Sequence, residues 1–131
     1  MFSVEWDEED LNELNISLDM LMPPELAREE LPRLAYIVMA ETRRYPPPKQ
    51  GSTYERTNKL FEGWKREVLD HLKVKVYNPV EYGTYVQGRW QVDMHKTTGW
   101  RNLYEMAEKQ VERFIYHLEM RINKIWNTPF K

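Results

Sequence analysis

Hydrophobic and polar positions alternate over the first six residues, with Phe2, Val4 and Trp6 set against Ser3 and Glu5. A period of two predicts a short, half-buried strand. After Asp7, a residue type that caps helices, Leu11, Leu14, Leu18 and Leu21 recur at helical spacing. Acids in the first turn suit the positive end of a helix dipole, so this stretch predicts a helix that stops at Pro23-Pro24. A second helix begins at Pro24, in the first turn where proline is tolerated, and runs to about Arg44. Its buried side is Leu26, Leu31, Leu34, Ala35, Val38 and Met39. Pro32 lies inside that stripe and removes a backbone donor, so the helix bends there, or a short helix ends before Leu31 and another starts at Pro32.

The run YPPPKQGSTY, residues 45–54, excludes a helix. Three consecutive prolines impose an extended arm and Gly51-Ser52 a flexible joint. Such an arm can reach a neighbouring subunit, enter an aromatic groove of another protein, or simply connect two elements over the surface. One helical turn is expected over Arg56 to Phe61. Leu72, Val74 and Val76 then alternate with Lys73, Lys75 and Tyr77, giving the clearest strand pattern in the chain. Paired with Glu62 to Leu69 through Asp70-His71, this strand predicts an antiparallel hairpin that ends at Asn78-Pro79.

Residues 78–99 read as a loop region: Val80 to Gly88 as a short helix or turn, Arg89 to Met94 as a returning strand. From about Trp100 to Trp126, Leu103, Met106, Ala107, Val111, Phe114, Leu118, Ile122 and Ile125 mark one wide apolar face of a long helix, with Thr98 as its expected cap. Trp126, Pro129 and Phe130 form an aromatic tail that fits either core or contact surface. The sum is one α+β domain over residues 1–131, a small, mostly antiparallel sheet packed against N-terminal helices and a long C-terminal helix.

Composition sharpens this picture in three places. Aromatic residues make up 13% of the chain, so many rings must be absorbed by the core or by an interface. Cysteine is absent, which excludes disulfides and thiolate metal sites and suits a reducing compartment. No apolar run approaches the ~18 residues that span a membrane, and MFSVEWDEED is acidic where a secretory signal is basic. A soluble protein made in the cytoplasm, with no membrane partner, is the expectation. The net charge of −2 conceals a strong polarity: residues 1–30 carry ten acids against one base, Arg28, so the remainder is basic. An acidic end can dock on a basic face of an identical neighbour, or it can be a solvated helix face.

Reactive chemistry finds little support. His71, His95 and His117 are scattered, and Asp93-x-His95 is one strand-spaced pair without a second cluster, so no metal site is expected. No nucleophile with a base, phosphate-cradling glycine loop or convergent carboxylate pair can be assembled, Glu81 and Asp93 included. No enzymatic activity and no cofactor are expected. Nucleic-acid binding is the competing class: Lys59, Lys65, Arg66, Lys73, Lys75, Arg89, Lys96 and Arg101 are interleaved with Phe61, Trp64, Tyr77, Trp90 and Trp100. Against it stands a pI near 6.0, below the basic range of dedicated binders.

Three segments together resemble a known family. Tyr45-Pro46-Pro47-Pro48 with the run from Gly51 to Trp64, GSTYERTNKLFEGW, is similar to the YPPP and GSxYxRTGxLxxSW segment of phage and prophage tail-component proteins. Val76 to Gly88, VYNPVEYGTYVQG, looks like that family's strand followed by a YAxYVQG loop. Met94-His95-Lys96 with Thr98-Gly99-Trp100 resembles its MHxGxGW ending before the last helix. The ordered likeness covers about residues 45–100. Asn58, Pro79-Val80-Glu81 and Lys96-Thr97 depart from the family pattern and bear on the subtype, tail-completion protein or tail terminator.

The resemblance implies a minor tail or tail-completion protein of a long-tailed phage, located in the virion neck. It implies a hexameric ring of identical subunits between the head-closure ring and the tail tube or terminator, with passing contact to genomic DNA and no catalytic residues. The expected subunit contacts are Tyr45, Pro46, Pro47, Pro48, Tyr54, Trp64, Tyr82, Tyr85, Trp90 and Trp100, residue types that dominate interface energies and equally fill cores.

Overall fold

The computed structural model describes residues 2–7, 12–47, 59–70 and 72–126. Strand β1 (Phe2–Trp6) forms where the period-two pattern predicts it. The next element is a correction: Glu13–Leu18 is a second strand, β2, and not part of a helix. Leu14, Ile16 and Leu18 are buried while Glu13, Asn15 and Ser17 are partly exposed, which is the alternation of a strand with one face on the core. The two strands pair antiparallel with Val4 opposite Ile16.

Helix α1 (Pro24–Thr42) follows and runs unbroken through Pro32. Pro32 and Arg28, whose carbonyl loses its usual donor to the proline, are both on the exposed side of the helix, where water can take that bond. A single turn, α2 (Lys59–Glu62), leads into the hairpin β3 (Lys65–Asp70) and β4 (Lys73–Tyr77). The register slips between Val68 and Asp70, and Leu72 takes a positive φ of 64° in the turn. β4 also pairs antiparallel with β2, Val76 opposite Leu14 and Val74 opposite Ile16, so the four-stranded order is β1-β2-β4-β3.

Both long helices lie on the same face of this sheet. α1 covers β3 and β4, while the C-terminal helix α5 (Leu103–Trp126) covers β1 and β2 and packs beside α1. Between the layers sit Leu14, Ile16, Val74, Val76, Leu34, Val38, Leu103 and Val111, each fully or almost fully buried. Burying side chains of this size contributes about 1.5 to 3 kcal/mol apiece. Trp64 joins that core, and Trp6 stacks on Tyr104 of α5 with ring centroids 6.1 Å apart. The opposite sheet face is polar, with Lys75 paired to Glu13 at 3.4 Å.

The stretch between β4 and α5 holds two one-turn helices, α3 (Gly83–Val86) and α4 (Asp93–Thr97). The strand expected over Arg89 to Met94 does not form: residues 89–90 are a turn and Asp93 starts α4. The expected cap of α5 also moves, from Thr98 to Asn102, whose Oδ1 accepts from the backbone N–H of Tyr104 (2.9 Å) and Glu105 (3.2 Å).

Candidate subunit interface

Irregular backbone must satisfy its polar groups without a ladder, and residues 78–102 do so with amide side chains. Asn78 begins it: its Oδ1 accepts from Val80 N–H at 3.1 Å, and its Nδ2 donates to the Leu60 carbonyl at 2.7 Å. Its backbone N–H donates to Asn12 O at 3.1 Å, tying the loop to the turn ahead of β2. Gln87, with no exposed surface, sits at the centre. Its Nε2 donates to the carbonyls of Thr42 (2.6 Å) and Arg101 (2.9 Å), while its backbone carbonyl accepts from Leu103 N–H at 2.8 Å. One residue, through its side chain and its backbone, thus holds the end of α1, the loop and the start of α5 together.

Two more amides close the base. Gln91 Nε2 donates to Val86 O (2.8 Å) and Trp100 O (2.9 Å), and Asn102 Nδ2 donates to Gly88 O at 3.0 Å. Arg101 adds an ion pair to Glu41 at 2.7 Å. Gly88 is required by space: a Cβ there would lie 2.5 Å from Asn12 Oδ1 and 2.6 Å from the Thr84 backbone. Gly99 is required by conformation, at φ 94°.

With Thr84, Val86, Gln87 and Gly88 turned inward, the intervening side chains face out. The backbone folds back on itself, Trp90 N–H to Thr84 O at 3.1 Å and Val92 N–H to Tyr85 O at 2.9 Å, which brings the backbone of residues 84–85 against that of 90–92. Tyr85 and Trp90 are each 51% exposed and Met94 64%, with Tyr82 and Val92 also exposed. Large apolar side chains held outward on a hydrogen-bonded base form a candidate contact surface. Arg89 lies over the Trp90 ring, 5.5 Å from its centroid.

The other expected contact residues divide. Trp64 is buried, and its Nε1–H donates to Tyr45 Oη at 2.7 Å, so it belongs to the core and offers nothing to a neighbour. Tyr45 lies 4.6 Å from Trp100 and 5.8 Å from Phe61 by ring centroids, with Arg43 over Phe61 at 4.0 Å. This half-buried cluster anchors the root of the proline arm. Pro46 is partly covered, Pro47 is exposed, and Pro48 and Tyr54 lie outside the described residues. Val92 and Met94, also exposed, and the amides that support the loop are not among the residues expected from the sequence. The signal available was Gln87-Gly88-Arg89-Trp90-Gln91, amides and glycine around outward rings.

The remaining candidates fare differently. Asp93 and His95 sit on α4, where residues two apart do not face each other, so they do not form a strand-spaced pair. Among the described residues no three of His, Asp and Glu are placed to hold a metal ion. The basic residues interleaved with rings are partly neutralised: Lys75 by Glu13, Arg101 by Glu41, Lys96 by Glu105 at 3.5 Å. Among the described residues no helix is long and apolar enough to cross a membrane.

Comparison with protein-family models, with curated proteins and with solved structures finds no match to this chain.

Proposed function

We propose that this chain is a structural protein of the phage neck, a tail-completion or minor tail protein that forms a homo-oligomeric ring between the head-closure ring and the tail tube. The observation that carries the reading is the outward platform of Tyr82, Tyr85, Trp90, Val92 and Met94, fixed on a hydrogen-bonded base centred on Gln87. Preorganised aromatic surface lowers the ordering cost of association, and rings of this kind supply most of the energy at interfaces. The segments resembling phage tail components, residues 45–64, 76–88 and 94–100, supply the site of action, the virion, and the partners, copies of itself and the neighbouring head and tail proteins. The tail terminator is the nearest alternative within the same class. In this reading the chain catalyses nothing and binds no cofactor.

The experiment is complementation: particles lacking this protein are supplied with native chain or with Trp90→Ala, and joined heads and tails are counted by electron microscopy. Native chain restores joining and the variant does not; joining that proceeds without the protein, or equally with the variant, overturns the reading. A second reading, contact with nucleic acid, draws on Arg89 over Trp90, a cation and a ring exposed together. A gel shift that strengthens as salt falls supports it.

A further inference from the structure

Helices α1 and α5 do not meet flush along their outer sides; a groove of about 330 Å³ lies between them. Its two ends are electrically closed. At one, Arg121 pairs with Glu30, which is buried, and with Glu29 at 3.6 Å. At the other, Glu41 is taken by Arg101 at 2.7 Å and Arg44 at 3.5 Å. Between them Arg33 of α1 and Arg113 of α5 line opposite walls, with His117 beside them. Neither Arg33 nor Arg113 has a carboxylate within 4.0 Å among the described residues. Two like charges facing one groove repel each other until an anion sits between them.

We propose that this groove receives the acidic run Asp7-Glu8-Glu9-Asp10 of a second copy, making it one half of a head-to-tail joint. The inference rests on the ring reading above and names the two faces that the ring requires. Charge complementarity selects the occupant: residues 7–10 are four consecutive acids in a segment that carries ten acids and one base. The groove is bounded at both ends by the ion-paired Glu30 and Glu41, so its two arginines, unpaired among the described residues, suit a short anionic segment.

The test is a charge swap in the full chain, read by sedimentation over a range of concentrations. Arg33→Glu with Arg113→Glu, and separately Glu8→Lys with Glu9→Lys, should each weaken self-association at least about tenfold, and an equimolar mixture should restore it, because both joints of an alternating assembly are then complementary. Arg33 and Arg113 are exposed, so the first variant keeps the native melting temperature. Association of either variant equal to the native chain removes the groove from the joint and leaves the ring reading standing. Loss without rescue in the mixture also overturns the proposal. A native chain that stays monomeric removes both readings together. DNA retardation lost in the arginine variant while association is unchanged assigns the groove to phosphate and overturns it as well.

Discussion

Gln87 Nε2 and the carbonyl of Thr42 stand 2.6 Å apart, forty-five residues apart in the chain, and both residues are fully buried. That bond and its companion to Arg101 O tether a loop without regular structure to the helical layer. The surface that faces outward from residues 82–94 is therefore a fixed feature of the fold.

Replacing Gln87 by Leu fills the space but leaves the Thr42 and Arg101 carbonyls without a donor. Each buried group left unsatisfied costs about 1 to 3 kcal/mol, so the variant should lose about 2 to 6 kcal/mol in urea unfolding. A loss below about 0.5 kcal/mol, the range of ordinary surface changes, contradicts the tether.

Gly88→Ala places a methyl group against the Thr84 backbone at 2.6 Å, which cannot rotate away, and against Asn12 Oδ1 at 2.5 Å. Overpacking of this kind costs about 1 to 3 kcal/mol. The expected readout is a lower melting temperature, with faster hydrogen exchange at the amides of Trp90 and Val92, whose acceptors belong to the same loop.

Trp64 and Trp90 form a matched pair for separating fold from contact. Trp64→Ala opens a cavity in the core and should cost about 3 to 5 kcal/mol. Trp90→Ala removes a half-exposed ring and should change stability by no more than about 0.5 kcal/mol while abolishing assembly. Unfolding curves and sedimentation on the same two samples decide it; equal stability losses contradict the assignment of Trp90 to the surface.

Deleting residues 47–51 shortens the proline arm beyond its root, which Tyr45 and Trp100 hold at 4.6 Å. The shortened chain should melt like the native one and fail to join heads to tails. Retained joining in the complementation assay removes the arm from the contact.

Strands β1 and β4 and helices α1 and α5 are legible because each follows a single period. Phe2, Val4 and Trp6 alternate, Leu103 to Leu118 repeat every three or four residues, and neither pattern fits another element. β2 is different. Leu11, Leu14, Leu18 and Leu21 satisfy helical spacing, while Leu14, Ile16 and Leu18 satisfy strand spacing over the same residues. What decides between them is pairing with β1 on one side and β4 on the other, and β4 lies some sixty residues away. Arg89 to Met94 shows the converse: Trp90, Val92 and Met94 keep a strand's alternation, but Gln91 bonds Val86 and Trp100 and holds the segment as loop. The candidate contacts were legible as residue types only. Tyr85 and Trp90 face outward and Trp64 inward because of hydrogen bonds between distant segments, which no local spacing encodes.

The most direct measurement is the mass of the purified chain in solution as its concentration rises, by sedimentation equilibrium, beside Trp90→Ala under the same conditions. The account predicts a discrete closed oligomer for the native chain and a folded monomer for the variant. A native chain that remains monomeric throughout, or a variant that assembles as the native chain does, contradicts it.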